Sequence, residues 1–485
     1  MLIFLSFLLF NSVFAVDPVC NGLTKLTVPK NIDDYVYWPQ KFDMSSMPIF
    51  QPNQKCSFMI DVPAGYTAAF LINSNITKDA DAALSVIDSQ NVATAIFQAL
   101  NEPFYLLPGG GQVVLTINSA TVSFGLEVKW YVRPVFNPVP YSIKSTSADP
   151  LNFYARLLYP AVFTADTQVS LLFVPPTEVE VNSNLRSVFI FDGSTPDAPC
   201  LGTLYDQLSS KQQIHTTGKN LTLMVVSPYP NLGSAQIILQ DYGNTKNFGS
   251  YIGAPCRSLA NCMDNIAMDA TKGPAAVSTI MSYNGAEYLI DAKLDDGAKL
   301  DVYIGGKIGD NRNLIASYSA NNIVKSIPQE FLGMIRTYVL SSGTGYIKLS
   351  RTGSTFLLPF VDRTGFFASR FYLADTVVTS QDTYEYIGTT QGAYTFNINF
   401  KAADFVGNST LEVLIDGGKG SYHEIYTASN RPTLNTQTQA VGNRMSVTYK
   451  TYGQTTKGYY MDFHLTSTCT NFSYLIVIFV TLMFY

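Results

Sequence analysis

Two landmarks recur along this chain with one spacing, and together they restrict its fold more than any other feature. A strand of branched or aromatic residues running into a turn appears near positions 88, 192, 304 and 416, as SVIDS, SVFIFDGS, LDVYIG and LEVLIDG. A second, alternating strand ends near positions 130, 241, 350 and 465. Both keep a period of about 110 residues, which chance alternation would not hold in phase. The spacing predicts four tandem β-modules, with one large irregular β-fold as the alternative.

The expected modules span 16–133, 134–248, 249–353 and 354–466, the first two separated by the Pro-punctuated linker PVFNPVP at 134–140. In the first module Cys56, Phe58, Ile60 and Val62 alternate with Ser57, Met59 and Asp61 before a Pro63-Ala64-Gly65 turn, the pattern of a half-buried strand. Val122, Phe124, Leu126, Val128 and Trp130 form its closing strand. Pro108 to Gly111 reads as a hairpin turn, as does Gly417 to Gly420. In the third module Tyr288, Ile290, Ala292 and Leu294 are expected on one face, and Met263 to Lys272 is the one helix-like stretch.

Composition points outside the cell. Charged residues make up only 14% of 485, while 31 Phe and 30 Tyr accompany many Thr, Ser and Asn. A formal net charge of −5 offers no basic field for nucleic acid. Residues 1–15 (MLIFLSFLLFNSVFA) read as a signal peptide, lacking a basic start but ending in small residues. Asn75, Asn220 and Asn408 open glycosylation sequons. The tail 467–485 ends in the apolar run YLIVIFVTLMFY, whose twelve helical residues would span about 18 Å of a hydrocarbon core of about 30 Å. With Thr466, Ser467 and Thr468 before it, the tail reads as a GPI signal with attachment at Ser467, so that a lipid anchor would join the protein to the membrane.

A cysteine at the mature N-terminus, then YVYWPQ, then QKCSFMIDVPAGY, then an alternating strand ending in Trp, resembles the nematode CUB-like family over residues 20 to about 133. The resemblance implies an all-β fold of antiparallel jelly-roll sandwiches, a disulfide between Cys20 and Cys56, and aromatic core or edge positions at Trp38 and Trp130. Phe58 stands where the family more often has Trp, and the second disulfide of classical CUB domains is missing. The family's secreted or surface-held members imply a part in epithelial innate immune or stress responses.

The remaining cysteines lack a CxxC pair, so sparse disulfides are expected rather than zinc. Cys256 and Cys262 are close enough to pair across a short turn, which leaves Cys200 as a buried inert thiol, a free thiol or an interchain bridge. None of His215, His423 and His464 stands at metal spacing, and no GxSxG nucleophile motif occurs. His464 is expected exposed beside Asp462 on the polar face of its strand. The acid pairs Asp33-Asp34 and Asp295-Asp296 are expected to meet water, and Asp81, Asp88 and Asp192 do not match a calcium signature. No cofactor and no catalytic residue is expected. The chain reads as a non-enzymatic ectodomain binding a protein or glycan, with Tyr37, Trp38 or Tyr105 as contact or core rings. A structural component of a matrix or lumenal coat is the alternative.

Overall fold

The computed structural model describes residues 19–40, 42, 47–133, 135–157, 160–228, 230–255, 262–281, 285–353, 356–375, 382–417 and 421–468. The proposed signal peptide, Cys256, Cys469 and the apolar tail lie outside them, as does the side chain of Cys262. The described residues form eight sheets, which succeed one another along the chain as four face-to-face pairs. Their strands occupy residues 21–132, 139–241, 250–350 and 364–467. Each pair encloses its own apolar cluster. The architecture is therefore all-β, built of sandwiches.

The first sandwich shows how the pattern becomes packing. In the strand Gln54–Ile60, Cys56, Phe58 and Ile60 are fully buried while Lys55 and Met59 face out, because successive side chains leave a strand on opposite faces. They meet the closing strand Val122–Val132 across the core, where Trp130 is fully buried and its Nε1 donates to the Asp61 carbonyl at 2.8 Å. Trp38 fills the gap beside Phe58 and Phe50, with ring centroids 4.2 and 5.3 Å away. Cys20 and Cys56 are disulfide-bonded, with Cα atoms 5.2 Å apart. The strand that follows Cys20, Asn21–Leu26, pairs parallel to Gln54–Ile60. The aromatic strand Val36–Trp38 joins the opposite sheet, against Val122–Val132.

The two sequence landmarks occupy equivalent places throughout. Ala82–Ile87, Val188–Phe191, Lys299–Ile304 and Thr410–Asp416 each stand one strand in from the edge of their sheet. The closing strands Val122–Val132, Gln236–Asp241, Gly343–Ser350 and Gly458–Ser467 each lie second in the opposite sheet. The first three sandwiches add one parallel edge strand apiece to an otherwise antiparallel pattern. The fourth has no such strand among the described residues.

Three local expectations fail. Pro108 to Gly111 is not a hairpin: the strand before it, Glu102–Leu106, pairs with Tyr66–Ser74, while the strand after it, Gly111–Ile117, pairs in the other sheet. The turn crosses between sheets, and Gly110 is required there because φ is +75° and a Cβ would stand 2.0 Å from the Ile60 carbonyl oxygen. Met263 to Lys272 is not a helix but most of the strand Cys262–Ala270, whose Ile266, Met268 and Ala270 are buried at period two against the closing strand. Pairing partners outweighed local helix preference. In Glu287–Leu294 a register shift between Leu289 and Asp291 turns Leu289 into the core and Ile290 out of it, so the predicted face breaks in the middle. Gly417 does follow a true hairpin strand, since Thr410–Asp416 pairs antiparallel with Tyr422–Tyr426.

Candidate functional site

The sandwiches meet through side chains that the sequence pattern assigns to outer faces. Between the first and second, Leu107 packs with Phe189, Phe191, Met224 and Val226. Arg186 reaches Glu102 at 2.6 Å and lies over the rings of Phe104 and Tyr205. Tyr105 and Cys200 belong to the same contact. Tyr105 is thus interface rather than a ligand-contact ring, and Trp38 is core. The Cys200 thiol is pushed up mainly by burial, which keeps it protonated and unreactive.

Between the third and fourth, two different environments lie side by side. One is a buried joint, where Glu330 and Glu385 share a hydrogen bond and the Tyr288 hydroxyl donates to Glu330 at 2.6 Å. Burial, and then the Glu330 charge, pushes the Glu385 carboxyl well above the usual carboxylate range. Gln329 clamps the same joint by exchanging hydrogen bonds with the backbone N–H and carbonyl of Phe366.

The other is an open cleft of about 430 Å³. Its floor is the outer face of one sheet of the fourth sandwich, in which Tyr394–Asp404 lies between Gly458–Ser467 and Gln437–Gly442. Phe396, Ile398, Met461, Phe463 and Leu465 point into the core, and alternation therefore turns Asn397, Asn399, Asp462 and His464 outward. The far wall is Ser317 and Ser326 of the third sandwich. Asn397 organises the floor: its Oδ1 accepts from Gln437 at 2.8 Å and Gln439 at 2.7 Å, and its Nδ2 donates to the His464 carbonyl at 3.1 Å. The Tyr460 ring lies stacked on Phe366 with centroids 4.9 Å apart. Asp462 stands 3.9 Å from Lys401, and its carboxyl is raised chiefly by burial, against the pull of that lysine and of the Tyr460 hydroxyl. The Asn399 Oδ1 is buried and has no hydrogen-bond partner among the described residues.

A second cleft of similar volume lies where the second, third and fourth sandwiches converge, lined by Leu151, Phe153, Ile304, Met334, Ile335 and Phe371. At its rim Asp375 accepts from the Ala148 N–H at 2.6 Å and pairs with Arg312 at 3.1 Å, which ties the start of the fourth sandwich to the second.

The sequence-predicted residues do not gather into one site. Asn75 and Asn408 are exposed, the first with its Oδ1 engaged by the Ser123 N–H, and Asn220 is half-buried in the strand Asn220–Val225. Ser467 is the last ladder residue of the closing strand, opposite Tyr394. Asp88 accepts from the Val92 N–H within its own turn, whereas Asp81 accepts from Ser119, 38 residues away, and Asp192 from the Thr217 N–H, 25 residues away. Among the described residues no three His, Cys, Asp or Glu side chains group as metal ligands. His464 is exposed as expected, with Asp362 4.0 Å away. What sequence reading missed is that its neighbours on the polar face line a cleft. Two amides on one strand opposite an acid and a histidine on another were visible, but the wall that closes them, Ser317 and Ser326, lies 71 to 147 residues upstream.

Residues 15–134 match the family model described as a CUB-like domain. Two domains of unknown function follow: DUF7592 over 142–226 and DUF7591 over 243–352. Each match falls on one successive sandwich, and the first sandwich is thereby CUB-like. No curated protein matches the chain. Among solved structures, the CUB1-EGF-CUB2 domains of rat MASP-1 align over 44% of this chain and 99% of theirs, at 7% identity and TM-score 0.17. The same region of human MASP-1/3 aligns over 42% and 99%, at 8% identity and TM-score 0.18. The full extracellular region of zebrafish Gpr126/Adgrg6 aligns over 77% and 62%, at 10% identity and TM-score 0.19. Likenesses at this level carry no functional argument.

Proposed function

We propose that this protein is a non-enzymatic extracellular binding protein, held at the cell surface through a lipid anchor at Ser467 and taking a protein or glycan ligand. The observation that carries the reading is the disulfide-closed CUB-like first sandwich, matched over residues 15–134. A Cys20–Cys56 bridge persists in an oxidising compartment, which fits secretion and glycans at Asn75, Asn220 and Asn408. A role in epithelial immune or stress responses extends this from the resemblance of the first sandwich alone. The matrix or coat reading gains little from Cys200, because a thiol packed between two sandwiches is poorly placed for lateral cross-links.

Phospholipase C treatment of cells displaying the protein, with intact mass of the released form, tests the reading. Release with a mass ending near Ser467 is expected. Retention on the cells, or recovery only from an insoluble coat, would sink the anchored-receptor reading and favour the coat.

A further inference from the structure

We infer that the cleft between the third and fourth sandwiches is a binding site for a neutral saccharide. The inference rests on the extracellular binding role and names the ligand class. The lining supports it in three ways. First, its lining is rich in amides and hydroxyls, those of Asn397, Asn399, Gln437, Ser317, Ser326 and Thr364. Of these, Asn397 is held by its neighbours, Ser317 donates to Asp301 at 2.7 Å, and Ser326 and Thr364 bond each other at 2.9 Å. A sugar hydroxyl both donates and accepts, so amide and hydroxyl walls satisfy it without choosing a charge. Second, among the described residues no Lys or Arg lines the cleft, and the one carboxylate lining it, Asp462, faces Lys401. A phosphate or sulfated ligand would meet no cation that is not already paired, and would meet the Asp462 charge. Third, the Tyr460 ring stacked on Phe366 gives an apolar strip beside the polar floor, matching a pyranose whose C–H face is apolar and whose rim is hydroxylated.

The floor is pre-arranged. Asn397 has both ends of its amide fixed by Gln437, Gln439 and the His464 backbone, so the side chains around it are held before any ligand arrives. Asn399 adjoins it on the same face, its amide oxygen buried and without a hydrogen-bond partner among the described residues. The volume of about 430 Å³ is within the usual range for small ligands. The apolar cleft at the convergence of three sandwiches lacks such a floor.

The test uses the full secreted protein on an array of immobilised neutral, sialylated and sulfated glycans. Wild type should bind neutral glycans. Gln437→Ala combined with His464→Ala, both exposed positions outside any core, should weaken that binding by about tenfold or more. Ser317→Trp, which fills the cleft from the opposite wall, should do the same with an unchanged melting temperature. Binding confined to anionic glycans overturns the assignment. So does unchanged affinity in both variants while wild type still binds, and in that case the extracellular binding role survives. Wild-type protein that is secreted and folded but binds neither glycans nor cell surfaces overturns both.

Discussion

Two buried side chains show how much hangs on one atom. Trp130 is wholly enclosed, and its indole N–H is matched to the Asp61 carbonyl where the strand Gln54–Ile60 gives way to its turn. Trp130→Phe keeps most of the ring but leaves that carbonyl unpaired and a small void, so a loss of about 1–3 kcal/mol is expected in chemical denaturation. Glu385 works the other way. Its carboxyl is raised in the folded state by burial and the Glu330 charge, so its stabilising protonated form is complete below the ordinary value of 4.5 and is lost as pH rises toward the elevated one. Wild type should therefore lose melting temperature as pH rises above 4.5 relative to Glu385→Gln, whose amide cannot ionise. Parallel melting curves for the two proteins across that range would refute the raised Glu385 carboxyl. Trp130's burial was legible from the alternation of its strand, whereas Glu385's environment was not: it alternates with Tyr384 and Tyr386 as any strand acid might, and its partner Glu330 belongs to the third sandwich.

At the scale of strands, the chain wrote its own alternation well and its pairing poorly. Cys56, Phe58 and Ile60 are inward as the pattern requires, whereas Leu289 and Ile290 exchange faces at a bulge that only the partner strand specifies. The disulfide at the start of the first sandwich ties the parallel edge strand Asn21–Leu26 to Gln54–Ile60. Its cysteines are 36 residues apart, and closing such a loop stabilises by about 4 kcal/mol in the chain-entropy model. Cys20→Ser should therefore make the first sandwich protease-sensitive or block its delivery, while normal secretion with unchanged protease resistance would contradict that contribution. The edge strand should be the part that frays, since it has a neighbour on one side only.

Across the whole molecule the sandwiches are joined by buried chemistry rather than by bare linkers. Leu172, Ile238, Tyr251, Ala276 and Val339 pack between the second and third, and the Tyr251 hydroxyl bonds Gln240 on one side and Ser278 on the other. Inside the third, Glu287 lies beneath Arg336, Tyr338 and Thr279 with no exposure to water. A buried pair of this kind argues for a defined arrangement more than for added stability. The joint between the third and fourth sandwiches combines the Glu330–Glu385 contact with the amide-lined cleft, so the proposed ligand site and the buried acids share the same two sandwiches.

The period of about 110 residues, the buried faces of the core strands and the Cys20–Cys56 bridge were readable because each depends on local alternation or on a motif within one module. The crossing turn at Gly110, the strand at Cys262–Ala270 and the cleft were not. In each, the deciding neighbour is distant in sequence: the Ile60 carbonyl, the closing strand, or the Ser317 wall facing Asn397. Alternation states which way a side chain points; what it then meets, core, water or another sandwich, is settled only when the modules pack.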